Sequence, residues 1–194
     1  AFAGNFLYST GASESSRAWV WSTWGTTPRF LARKRGVVPH VIAPELDAII
    51  ATDQPVKELV SGLGGPLGPL EGPVWIKESG YLLFSDIHND RRMKYTPGQG
   101  TSVYREKTHG ANGHARDMQG RLVSCEGLTR RVTREEKDGS TTVVCNSYQG
   151  KRINKPNDVV VKSDGSVYFT DPWNIPDLPQ PWDLDYNGVY RVSP

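Results

Sequence analysis

The 194-residue chain is 37% hydrophobic and 23% charged, and its 23 basic and 21 acidic side chains leave a formal net charge of +2. That balance is ordinary for a globular protein and offers no concentrated basic face for nucleic acid. The one basic cluster, Arg33-Lys34-Arg35, reads as a solvated tail. No apolar run reaches the roughly eighteen residues of a membrane-spanning helix, and the start at Ala1 lacks the charged-then-apolar pattern of a secretory signal.

The chain divides near residue 58. Before it, Ser13-Glu14-Ser15-Ser16 is followed by Trp19, Trp21 and Trp24 at spacings that fit no single period. Pro28, Pro39, Pro44 and Pro55 interrupt any long element, leaving room for a short helix over Glu45–Ala51. Residues 1–58 are therefore expected to be an irregular extension, to which no chemistry is assigned.

From residue 59 to 194 the chain repeats. Gly80-Tyr81-Leu82-Leu83-Phe84-Ser85-Asp86, Gly120-Arg121-Leu122-Val123-Ser124-Cys125-Glu126 and Gly165-Ser166-Val167-Tyr168-Phe169-Thr170-Asp171 share one pattern. Each has a turn glycine, a spacer, mostly apolar residues and a closing carboxylate. The glycines lie 40 and 45 positions apart, a period that suits a four-stranded propeller blade. Inner strands are predicted over Gly72–Ile76, His114–Met118 and Asp158–Lys162. Third strands are predicted over Arg92–Tyr95, Arg131–Arg134 and Gly188–Val192, and fourth strands over Ser102–Arg105 and Thr141–Val144. The expectation is an all-β chain with about three blades of a six-bladed β-propeller, the third lacking its last strand and the ring incomplete. Cys125 and Cys145 fall on non-adjacent strands of one blade. They are read as two buried thiols of a reducing, cytoplasmic compartment, with a periplasmic location open if a leader has been removed.

Residues that precede the inner strands converge at one mouth of a propeller's channel. Glu71 lies nine positions before Gly80, Asn112 eight before Gly120 and Asn157 eight before Gly165. A carboxylate and two carboxamides at equivalent places suit a hard, oxygen-loving cation. Asn and Glu also serve turns, and from the repeat alone both readings stay open.

Glu71-Gly72-Pro73-Val74-Trp75, Asn112-Gly113-His114-Ala115-Arg116-Asp117, Gly120 to Glu126, Asn154-Lys155-Pro156-Asn157-Asp158-Val159 and Val167 to Pro172 occur in this order. With Gly188-Val189-Tyr190-Arg191, they resemble the gluconolactonase family, which includes regucalcin and luciferin-regenerating enzyme. The resemblance runs from about residue 45 to the end. It implies a metal-dependent hydrolase that opens a small sugar lactone, with Ca²⁺ as cofactor and Zn²⁺ or Mn²⁺ as alternatives. It further implies Glu71 as a metal ligand, Asn157 as a metal or substrate ligand, Asp158 as the catalytic base, and Asn112 and Arg116 as substrate-binding residues. His114 receives no role. Two further ligands of the family, in later blades, have no counterpart here, so half a ring is expected. A non-catalytic binding or scaffold protein is the rival reading, and a paraoxonase-like esterase a rival within the enzyme class.

Other residues invite plainer readings. Asp86, Glu126 and Asp171 are expected to hold loops, His88 and His109 to be solvated, and Trp75, Phe84, Tyr168 and Phe169 to fill the core between blades. The Pro-rich stretch from Pro172 to Pro181, with Trp173 and the following Trp182, is long enough for a loop that covers a substrate or one that is buried.

Overall fold

The computed structural model describes residues 57–172 and 182–194, together with the backbone of a short antiparallel ladder between β1 (Ala18–Val20) and β2 (Leu31–Arg33). The expected helix at Glu45–Ala51 and most of the Pro172–Pro181 stretch lie outside the described residues.

The rest is all β. The first sheet is a meander of β3 (Leu70–Ile76), β4 (Tyr81–Asp86), β5 (Arg91–Thr96) and β6 (Gly100–Glu106). The second repeats it with β7 (Ala111–Arg116), β8 (Leu122–Glu126), β9 (Arg131–Glu135) and β10 (Thr141–Cys145). A small hairpin of β11 (Ser147–Tyr148) and β12 (Lys151–Arg152) leads into the third sheet. That sheet holds β13 (Val159–Val161), β14 (Val167–Asp171) and β15 (Gly188–Val192). These are three propeller blades whose inner strands β3, β7 and β13 stand side by side without closing a ring. The second inner strand starts earlier than expected and ends at Arg116, because Asp117–Gly120 forms the turn, Asp117 O accepting from Gly120 N at 2.9 Å. Met118 is consequently in that turn and 63% exposed.

Strand alternation sorts each blade into faces. Val159, Phe169 and Tyr190 stand opposite one another in the third sheet, and Val159, Val167 and Phe169 are buried against Val123, Cys125 and Val132 of the second. Fully burying a side chain such as Phe169 contributes about 2–3 kcal/mol, so this inter-blade seam is a principal source of cohesion. Trp75 departs from expectation. It pairs with Leu82 while the neighbouring Val74 pairs with Leu83. Alternation turns it to the face of the first blade that does not meet the second, and it is 47% exposed. Cys125 on β8 and Cys145 on β10 are separated by β9 and both are free; Cys125 is buried, Cys145 only half-buried.

The repeated carboxylates do hold loops. Asp86 accepts from Gly64 N at 3.1 Å, from Asn89 and from Arg91 at 2.8 Å. Glu126 accepts from Thr129, Arg131 and Thr133, and Asp171 accepts from Asn154 N at 2.7 Å. For Asp86 and Glu126 these partners answer the need of buried charge for hydrogen bonds. His109 is exposed as expected. His88 is tied down instead: its Nδ1 accepts from Leu67 N at 3.3 Å, and its ring lies so close to Gly65 that a Cβ there would not fit.

Candidate active site at the channel mouth

Equivalent dipeptides mark the starts of the three inner strands: Glu71-Gly72 and Asn112-Gly113 follow the first residue of β3 and β7, and Asn157-Asp158 immediately precede β13. In the first two blades the ladder is interrupted at this point, between Glu71 and Val74 and between Ala111 and His114. Such bulges re-aim the side chains beside them. Glycine is required next to each because the neighbouring backbone arrives there. Gly72 has φ +57°, and a Cβ on it would meet Gly113 Cα at 3.0 Å and the Asn112 carbonyl closer still. A Cβ on Gly113 would lie 2.7 Å from Asp158 Cα and 2.8 Å from Asn157 O. The Gly113 N–H instead donates to Asn157 O at 2.8 Å, a backbone bond from blade to blade.

This close approach brings four polar side chains together. Asn112 Nδ2 donates to Asn157 Oδ1 at 2.6 Å, joining the amides of the second and third blades. Asp158 is half-buried, its Oδ1 accepting from Val159 N at 2.9 Å. Glu71 is 9% exposed. Desolvation, then the charge of Asp158, push its carboxyl up from an ordinary 4.5 to about 7. Desolvation also raises Asp158. Among the described residues no ion pair of either carboxylate with Lys, Arg or His relieves this repulsion.

Arg116 is not brought to the mouth. It stands at the far end of β7, roughly 13 Å along the strand from Asn112 at about 3.3 Å per residue. There its guanidinium donates to Glu78 Oε2 at 2.8 Å and to the Gly120 carbonyl.

Sequence reasoning passed over a buried polar string directly behind the mouth. His114 is 6% exposed and lies between two serines: Nε2 is 2.8 Å from Ser85 Oγ, and Nδ1 is 2.8 Å from Ser124 Oγ. Ser85 Oγ donates to the Asn112 carbonyl at 2.8 Å. Arg92 Nη2 donates to Ser124 at 3.2 Å, and Arg92 and Arg105 share Glu135 at 3.0 and 2.7 Å. A signal was available: Ser85 and Ser124 interrupt otherwise apolar second strands, and Arg92 opens a third strand at a core register.

The family model described as SMP-30/Gluconolactonase/LRE-like region matches residues 69–194. A gluconolactonase of Zymomonas mobilis is 32% identical over 169 residues, covering 78% of this chain and 46% of its own. A solved gluconolactonase of Xanthomonas campestris, described as important in glucose secondary metabolic pathways, is 36% identical with a TM-score of 0.60, covering 64% of this chain and 44% of that one. A luciferin-regenerating enzyme structure, 14% identical with a TM-score of 0.52, covers 66% of this chain and 46% of its own and shares the fold alone. The chain thus spans about half the length of these relatives.

Proposed function

From a chain that belongs to the SMP-30/gluconolactonase/LRE-like family, we propose a hydrolase that opens a sugar lactone at the mouth gathered from Glu71, Asn112, Asn157 and Asp158. The observation that carries the reading is the pair of raised, repelling carboxylates with no basic partner among the described residues. Oxygen donors under such repulsion fit a hard divalent cation of the calcium class, which Glu71 and Asn157 would hold. When bound, the cation supplies positive charge that polarises a lactone carbonyl.

The chain's own groups do the rest. The joined amides of Asn112 and Asn157 offer donors and acceptors that orient the hydroxyls of a sugar ring. Asp158, made more basic by desolvation, takes a proton from water as the water oxygen bonds to the carbonyl carbon. The ring C–O bond then breaks, and the ring oxygen leaves as a hydroxyl carrying that proton. A hydroxy acid results, with atoms balanced by one water.

The test is acid release from glucono-δ-lactone by the 194-residue chain in a pH-stat, with Ca²⁺ and then with chelator. Turnover that needs the cation and is lost in Asp158→Asn is the expected result. The alternative outcome is binding without turnover. Calorimetric binding of the lactone with no acid release would establish it.

A further inference from the structure

The hydrogen-bond directions around His114 follow from what its neighbours can donate and accept. A carbonyl only accepts, so the Ser85 hydroxyl spends its one proton on Asn112 O. Ser85 Oγ must therefore accept at its other neighbour, and His114 Nε2 carries the ring proton. At the other side a guanidinium only donates, so Ser124 Oγ accepts from Arg92 Nη2. Its own proton is then free for His114 Nδ1, which bears none. Every donor along the string points the same way: Arg92 to Ser124 to His114 to Ser85 to the Asn112 carbonyl. A protonated ring would leave the buried Ser124 proton without an acceptor and set a second cation beside Arg92. Burial and Arg92 both hold the imidazole well below its ordinary range, in keeping with this neutral form.

The string crosses the seam between the first and second blades from Arg92 to Ser124, from His114 to Ser85 and from Ser85 to Asn112, and runs within the second blade only from Ser124 to His114. The fold itself does not demand it. At the position that follows the mouth dipeptide, the first blade has Pro73 and the third has Val159, neither with a polar side chain. A buried imidazole with both nitrogens bonded is a costly way to fill a place that an apolar residue fills elsewhere.

We propose that His114, as its Nε2–H tautomer, is a positioning residue: through Ser85 it fixes the Asn112 peptide at the bulge, so that the Asn112 carboxamide is held against Asn157. The inference rests on the lactonase reading for its catalytic meaning, but not for its structural content. It assigns Ser85 a role as well, since the serine is the link that touches the Asn112 carbonyl.

Two readouts test it on the full chain. In ¹⁵N NMR of the wild type, the His114 ring should show its proton on Nε2; a proton on Nδ1 overturns the proposal. In Ser85→Ala the Asn112 side-chain amide resonances should shift while the distant Asn187 amide does not; unmoved Asn112 resonances likewise overturn it. Where the wild type hydrolyses glucono-δ-lactone, Ser85→Ala and His114→Leu should each raise KM about tenfold with little change in kcat, the scale of one hydrogen bond lost. The double variant should be no worse than either single one, and His114→Gln, which keeps a donor toward Ser85, should recover most of the loss. Unchanged KM in both single variants sinks the positioning role while leaving the lactonase reading intact. Absence of turnover in the wild type removes the lactonase reading and leaves the NMR result to decide the rest.

Discussion

Replacing Glu71 by Gln should have opposite effects on the fold and on its cation affinity. The Glu71 carboxyl is pushed from 4.5 to about 7 by burial and by Asp158, and at ~1.36 kcal/mol per pKa unit the ionised form costs the fold at most about 3 kcal/mol. Because the folded value lies above the unfolded one, the proton on Glu71 favours the fold. That contribution is complete below about pH 4.5 and is lost as pH rises through about 7. Gln has nothing to lose. In chelator, the melting temperature of Glu71→Gln relative to wild type should therefore climb between pH 4 and pH 8. A ceiling of ~3 kcal/mol corresponds to roughly 10 °C for a domain of this size. Added Ca²⁺ should reverse the order, raising the wild type alone by mass action. Thermal unfolding followed by circular dichroism across that pH range reads both effects. A difference between the two proteins that stays flat with pH in chelator would refute the desolvated-carboxylate account of Glu71.

Three further outcomes follow from the geometry. Gly113→Ala should cost about 1–3 kcal/mol in urea unfolding, since its Cβ meets backbone atoms of Asn157 and Asp158 that cannot swing aside; unaltered stability would mean the inner strands are not so close. Asp171→Ala should cost a similar ~1–3 kcal/mol by stranding the Asn154 N–H, and faster hydrogen exchange at Asn154 would locate the loss. A thiol reagent should label Cys145 well before Cys125, which is fully enclosed and whose thiol burial pushes far up; equal rates would count against the buried seam.

The repeat was legible in the sequence because alternation and turn glycines are local signals. Gly188–Val192 forms the strand expected of it, and the loop-holding carboxylates end their strands as anticipated. The first three mouth positions were legible for the same reason: a fixed offset from a turn glycine places Glu71, Asn112 and Asn157 at equivalent strand starts. What remained hidden depends on faces and partners that no single strand reveals. Trp75 has the composition of a core residue, but only the stacking order of the blades decides which face is covered. Arg116 shares a short motif with Asn112, yet a strand carries it away from the mouth, to Glu78. His114 needed two serines and an arginine from three other strands before its role could be seen.

The bare backbone at Gly72 and Gly113 has a consequence for how such a mouth can change over time. Where neighbouring inner strands touch peptide to peptide, their spacing is set by the size of the peptide group, which no substitution alters. Larger or smaller residues along the seam farther out, around Val123 and Phe169, can splay the blades at the rim without widening the axis. The aperture is thereby insulated from drift in the core. New ligands can be tried by exchanging the side chains at Glu71, Asn112 or Asn157 on a frame whose gauge stays constant.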